Sequence, residues 1–246
     1  MLTLVTLTQG NPKALRRTMD NVVAAFGGMM NEILVGDMSV FDDNFTSGFD
    51  DAKIIKMPFD SLFKHGFSNA LNHVASHSTN DLCLYLNVGE IVEKNLDASF
   101  ITDRFNCYSF NHAVDPHIWV RMWNRHELWW SGRIHEEIVG PRRECPAIIF
   151  TMADTEKDME DDFRAGVYND IKEMVYFQQY VHLSEHPEDK GATDQGWLNY
   201  SQAEYEDLKR RLSSKGERYQ AFLSGDLSAY LQAAERDQPG KVWSKP

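Results

Sequence analysis

Leu2-Thr3-Leu4-Val5-Thr6-Leu7-Thr8 is an apolar, β-branched run that stops at the polar turn Gln9-Gly10-Asn11-Pro12. Immediately behind the turn, Leu15, Met19, Val22 and Val23 recur at helical spacing within Lys13 to Ala25. A strand, a short loop and an amphipathic helix, in that order, are the first unit of an α/β sheet. The unit repeats downstream. Glu32 to Asp37 reads as a second strand ending on an acidic residue, an Asp- and Gly-rich stretch runs to Asp51, and Lys53 to Met57 reads as a third strand before Pro58. Gly66 to Ser76 reads as a helix with Phe67, Ala70, Leu71 and Val74 on one side, and Asp81 precedes the strand Leu82 to Leu86. Parallel strands need crossover connections, and these pack right-handed. The alternation therefore predicts a Rossmann-like α/β domain with a mainly parallel sheet and a ligand at its carboxyl edge. That edge carries Thr8, Asp37 and Asn87.

Beyond Cys107 the pattern changes to short β-like pieces rich in His, Trp and Arg. They are Cys107 to Phe110, Ile118 to Trp123 and Leu128 to Trp130, and they predict two or three added strands, with a last one over Ala147 to Phe150. The acidic run Asp154 to Asp162 reads as a solvated loop or helix start. Phe163 to Leu183 and Gln202 to Ala234 read as helices joined by the loop Pro187 to Gly196, and Asp237 to Pro246 as a fraying tail. This divides the chain into residues 1–150, a ligand-binding domain, and residues 151–246, a helical region that packs against it or borders its ligand.

A formal charge of -12 disfavours broad attraction to nucleic acid or anionic lipid. Three scattered cysteines give neither a disulfide framework nor a Cys-x-x-Cys zinc pair, and they read as reduced thiols of a cytoplasmic protein. No apolar run approaches membrane-spanning length, and Met1 to Gln9 lacks the basic start of a signal peptide.

Four patterns, in order, resemble family 2 glycosyltransferases of the GT-A fold over Leu2 to Val139. Leu4 to Thr8 with Asn11-Pro12 and Leu15-Arg16-Arg17-Thr18 is similar to the family's first strand and the loop under the nucleotide. Val35-Gly36-Asp37-Met38-Ser39 resembles Val-Asp-Asp-Gly-Ser. Gly66-Phe67-Ser68-Asn69-Ala70-Leu71-Asn72 resembles Gly-x-x-x-Ala-Arg-Asn, with Leu71 at the arginine position. Asn80 to Glu90 resembles Gly-Asp-Tyr-x-x-x-Leu-Asp-Ala-Asp-Asp/Glu. A fifth, Trp130-Ser131-Gly132-Arg133-Ile134-His135-Glu136, resembles the Gly-x-x-His-Glu segment of one branch.

The resemblance implies a transferase that moves a sugar from a nucleoside-diphosphate donor, a UDP-sugar, to an acceptor hydroxyl with inversion. The acceptor would be a glycan or another hydroxyl compound; the charge disfavours nucleic acid. It assigns Asp37 to the base and carries Thr8, Gln9, Asn72 and Asn87 to the nucleotide. Such chemistry needs a stabiliser of the growing diphosphate charge and a base for the acceptor. Glu136, with Glu137 behind it, is the candidate base. Adjacent strand residues face opposite ways, so His135 and Glu136 can share a site only in a loop or turn.

In the family an Asp-x-Asp motif holds Mg2+ or Mn2+. Here Asn87 and Gly89 stand at both aspartate positions, leaving Glu90 as the nearby carboxylate. Three outcomes stay open: Glu90 and His135 hold a divalent cation; arginines replace it; or the chain binds sugar nucleotides without turnover. For the second, between Arg104 and Arg143 the arginines Arg104, Arg121, Arg125, Arg133, Arg142 and Arg143 outnumber the acids Asp115, Glu127, Glu136 and Glu137, and Arg133 is the phosphate candidate. A nucleotidyltransferase would want a Gly-rich phosphate loop with a lysine, which Gln9-Gly10-Asn11-Pro12-Lys13 matches poorly. Of Trp119, Trp123, Trp129 and Trp130, alternation predicts that several are core, the rest being candidates for sugar stacking.

Overall fold

Asn11 and Pro12 start the first helix by local chemistry alone. The Asn11 side chain accepts a hydrogen bond from the Ala14 N–H at 2.9 Å, and Pro12 opens the first turn, where its missing N–H costs nothing. The resulting α1 (Pro12–Phe26) buries Leu15, Thr18, Met19, Val22, Ala25 and Phe26 on one face. The computed structural model describes residues 1–8, 11–39, 48–57, 59–93, 98–101, 106–113, 118–133, 136–151, 175–189, 206–207, 209–210, 213–214, 216–223 and 227–236.

Around α1 lies a sheet built from β1 (Leu2–Thr8), β2 (Met30–Asp37), β3 (Lys53–Lys56), β4 (Leu82–Tyr85), β5 (Glu90–Val92), β6 (Cys107–His112), β7 (Ile118–Asn124) and β8 (Arg142–Thr151). Its order is β3-β2-β1-β4-β7-β6-β8-β5. The first four strands run parallel; β7 then pairs antiparallel with β4 and with β6, while β8 runs parallel to β6. This is the expected class, a Rossmann-like, mainly parallel sheet with added strands. Because β2 and β3 lie on one side of β1 and β4 on the other, the strand order reverses between β1 and β4, the point at which an open α/β sheet leaves a crevice at the carboxyl ends of its strands.

Side chains alternate across the sheet into two cores. Leu4, Ile33, Val35, Leu84, Tyr108 and Met122 pack toward α1. Val5, Leu34, Cys83, Cys107, Val120 and Trp123 pack toward α2 (Phe59–Ser76), α3 (175–185), α4 (Glu217–Leu223) and α5 (Leu227–Arg236). The C-terminal helices supply Val175, Phe177, Tyr180 and Tyr230 to that second core, so the described part of residues 151–246 packs against the sheet domain. In β7, Val120 and Trp123 face the same core although three residues apart. Pairing with β6 jumps from Met122 to Val120, which leaves Arg121 as the extra residue of a bulge.

Several boundaries differ from the sequence reading. Gly66, with φ 72° and ψ 179°, a conformation open to glycine, is a non-helical kink within α2, so the expected helix start at Gly66 holds for the part that runs to Ser76, and the sequence reading missed the helical part from Phe59 before it. Leu128 to Trp130 forms no strand; its backbone is held instead by the Asn72 side chain, and an isolated bridge joins Ser131 to Glu137. Strand β8 starts at Arg142, since parallel pairing to β6 overrides the polar Arg142-Arg143-Glu144. Strand β5, three residues long, carries no periodic signal. The acidic run Asp154 to Asp162 and the tail Asp237 to Pro246 lie outside the described residues.

Cys83, Cys107 and Cys145 are free and buried, as expected of reduced thiols, and burial pushes the Cys83 thiol up to about 12. Among the described residues no helix is long and apolar enough to cross a membrane.

Candidate functional site

Thr8 and Asp37 are paired in register at the carboxyl ends of β1 and β2, and the Met38 N–H donates to the Thr8 carbonyl at 2.9 Å. Both side chains are buried. Asp37 Oδ1 accepts from the Ser39 N–H at 2.9 Å, which fixes the carboxylate at the start of the next turn. Oδ2 lies 2.5 Å from Lys56 Nζ, an ion pair without the alignment of a hydrogen bond. Among the described residues Thr8 Oγ1 and Asp37 Oδ2 are thus buried atoms without a hydrogen-bond partner, on residues paired in register. Leaving such atoms unsatisfied costs roughly 1–3 kcal/mol each. A ligand that supplies the missing partners recovers that cost, which is how a preformed polar site differs from a core.

Across the crevice the opposite holds. Asn87 to Glu90 turns tightly, with Gly89 at φ 94° and the Glu90 N–H donating to the Asn87 carbonyl at 2.9 Å. The Glu90 carboxylate folds back to accept from the Asn87 N–H at 2.8 Å and Asn87 Nδ2 at 3.0 Å. Arg121 Nη2 donates to the same carboxylate at 3.0 Å, both side chains being only 9% exposed. The Tyr85 hydroxyl donates to Asn87 Oδ1 at 2.5 Å, and the Arg121 guanidinium lies 5.3 Å from the Tyr85 ring centroid. Thr18 ties the turn to α1: its hydroxyl accepts from the Gly89 N–H and donates to the Glu90 carbonyl, both at 3.0 Å.

The third part is the segment Trp130 to Glu137. Asn72 clamps it, donating to the Trp130 carbonyl at 2.7 Å and accepting from the Trp130 N–H at 2.9 Å. Ser68 donates to the carbonyls of Ser131 and Gly132, and a Cβ on Gly66 would come within 3.4 Å of the Arg133 carbonyl. The Gly66 to Asn72 pattern therefore seats the Trp130 to Glu136 pattern, two sequence features that touch only in the fold. Trp130 stacks edge-on against Tyr85 and Trp123, which brings the segment against the strand ends. Glu136 is half-buried, and the Tyr176 hydroxyl of α3 donates to its Oε2 at 3.2 Å. Glu137 is exposed, and its backbone bridges to Ser131.

The expected residues are therefore distributed unevenly. Thr8, Asp37, Asn87 and Glu90 share the strand-end crevice, whereas the Asn72 amide is used on the Trp130 backbone. Arg133 donates to Gln179 at 2.8 Å and lies 3.7 Å from Asp189, so it docks the segment onto α3. Gln9 and His135 lie outside the described residues. Trp123 in β7 is core as alternation predicts; Trp130 is core too, outside any strand, and Trp129 is 65% exposed. Arg125 and Arg143 donate to backbone carbonyls, of Asn80 and Phe100.

The described residues do not fit a divalent cation. Asn87 is neutral, Gly89 brings no side chain, Glu90 already carries three donors, and among the described residues no group of three His, Cys, Asp or Glu is placed to hold a metal. The sequence reading missed Lys56, Tyr85, Tyr176 and the particular place of Arg121. The one signal was an arginine inside the otherwise apolar Trp119-Val120-Arg121-Met122-Trp123.

No protein-family model matches the chain, and neither does any curated protein. Solved structures similar to it include residues 1–349 of S. aureus TarS in complex with UDP, at 10% identity over 98% of this chain and 92% of that one, with a TM-score of 0.43. Another is the mannosyltransferase PcManGT from Pyrobaculum calidifontis in complex with GDP-Man and Mn2+, at 10% identity over 98% and 88%, with a TM-score of 0.41. Likeness at that level leaves the site to be read from this chain's own residues.

Proposed function

We propose that the chain is a glycosyltransferase that takes a sugar from a UDP-sugar and passes it, with inversion, to an acceptor hydroxyl. The observation that carries this reading is the pair of buried oxygens of Thr8 and Asp37 that lack a hydrogen bond among the described residues, at strand ends beside the point where the strand order reverses. Asp37 Oδ2 offers an acceptor to a base N–H, and Thr8 Oγ1 offers both donor and acceptor. The ordered resemblance of the strand ends to family 2 enzymes supports a nucleotide there.

Glu136 is the proposed base. It sits in the loop between the bridged Ser131 and Glu137, with Tyr176 holding one carboxylate oxygen. It takes the proton of the acceptor hydroxyl as that oxygen bonds to the anomeric carbon, and the bond from that carbon to the donor diphosphate breaks, releasing UDP. Trp129, exposed next to the clamped segment, is a surface on which a sugar ring can stack. Residues 151–246 would border the acceptor through α3, which holds Tyr176. The net charge of -12 favours a glycan or small hydroxyl compound over nucleic acid as acceptor.

The test is sugar transfer and donor hydrolysis across UDP-sugars and an acceptor panel, with Glu136→Gln alongside. The variant should keep its UDP affinity and lose about 100- to 10,000-fold in transfer, the usual worth of a general base. A fully active variant removes Glu136 from the reaction. Tight UDP binding with neither hydrolysis nor transfer by the unmodified chain would instead mark a sugar-nucleotide-binding protein.

A further inference from the structure

We propose that the chain binds the diphosphate of its donor without a divalent cation, the buried Arg121–Glu90 pair standing in the metal's place. The inference rests on the nucleotide reading above and deepens it. Chemistry at the Asn87 to Glu90 turn is the first ground. A hard cation needs anionic oxygens with lone pairs to give, and an intact Asp-x-Asp offers two carboxylates. This turn offers one, and that one accepts from the Asn87 N–H, Asn87 Nδ2 and Arg121 Nη2. With Arg121 counted, the corner has no net charge to attract a cation, and a guanidinium 3.0 Å from the carboxylate repels one.

Placement of Arg121 is the second ground. Leu84 pairs with Met122, so Arg121 stands beside the carboxyl end of β4, on the crevice itself. It is the extra residue of the β7 bulge, a device that re-aims one side chain out of the alternation. Stacking on Tyr85 and the ion pair to Glu90 fix the guanidinium, yet its Nε is buried with no hydrogen-bond partner among the described residues. A donor in fixed position that lacks an acceptor is what a phosphate oxygen completes. Next to it, Gly89 leaves room: a Cβ there would meet no described atom within 4 Å. Trp130, whose ring packs edge-on against Tyr85, brings a second buried donor, Nε1, without a hydrogen-bond partner among the described residues.

Calorimetric titration of the full chain with UDP and with uridine, in EDTA and then in Mn2+, tests this, with Mn2+ alone as the metal probe. The expected result is UDP affinity that does not change between the two media and no heat from Mn2+ alone. Arg121→Lys keeps the charge and the fold but not the fixed N–H fork. It should weaken UDP about tenfold or more while leaving uridine, which has no phosphate, unchanged. UDP binding that appears or strengthens tenfold with Mn2+ overturns the proposal and leaves the nucleotide reading standing. An Arg121→Lys variant that binds UDP normally, or loses uridine equally, overturns the role of Arg121. If neither UDP nor uridine binds in either medium, the nucleotide reading fails and this one with it.

Discussion

The two sides of the strand-end crevice are built on opposite principles. At Thr8 and Asp37 the chain buries polar oxygens and leaves one of each residue's without a hydrogen bond, whereas at Asn87, Glu90 and Arg121 it buries a charge pair and ties nearly every group to another. Two buried polar corners of one sheet would be expected to be satisfied alike. The difference teaches that the first corner has polar oxygens to spare, while the second is held in shape by its own charge pair and spares only the Arg121 Nε. Substitutions should therefore separate binding from stability.

The largest effect should fall on the self-contained corner. Glu90→Gln leaves the Arg121 charge buried and uncompensated, and urea unfolding should show a loss of about 3–5 kcal/mol. A loss well below 1 kcal/mol would mean that the pair is solvated and the comparison false. On the open corner the order reverses. Asp37→Ala should weaken UDP by about 1.5–3 kcal/mol, the worth of a hydrogen bond to a charged group, while stability changes much less. Unchanged UDP affinity in calorimetry would remove Asp37 from the site.

Gly36 sharpens the structural side. A Cβ there would come within 2.6 Å of Leu7 Cδ2 and 2.7 Å of Val74 Cγ2, because α2 lies directly on β2 at this point. Gly36→Ala should cost about 1–3 kcal/mol in thermal or urea unfolding through overpacking. A neutral variant would show that α2 can move away from the crevice.

The smallest effect lies at the amino end of the same strands, far from the crevice. Burial works against the charge of Glu32, but hydrogen bonds from Thr3, the Thr79 N–H and Ser78 outweigh it and hold the carboxyl below its ordinary value of 4.5. The stability it adds is complete above 4.5 and disappears as pH falls through the lower folded value. Partly exposed, the group contributes under about 1 kcal/mol. Glu32→Gln should flatten the acid limb of stability against pH, and an unchanged limb would assign that limb to other carboxylates.

What could be read in advance follows the range of the interactions. Asn11, Pro12 and the spacing of Leu15, Met19 and Val22 set α1 within a few residues, so strand, cap and helix were legible locally. The strand ends Thr8 and Asp37 were legible too, because a parallel sheet puts its ligand there whatever the side chains do. The missed features depend on distant pairing. The start of β8 is decided by its partner β6, and the position of Arg121 by a bulge that exists only between β6 and β7. Only the resemblance of the Gly66 to Asn72 motif carried Asn72 to the nucleotide. Its work on the Trp130 backbone appears only once a segment 58 residues away folds against it.

The most direct test of the central claim is a crystal structure of the chain with UDP. The account predicts the uracil ring at the carboxyl ends of β1 and β2, with a ring N–H within hydrogen-bond distance of Asp37 Oδ2 and Thr8 Oγ1 satisfied. UDP held elsewhere, or Asp37 still paired with Lys56 alone beside an empty crevice, would contradict it.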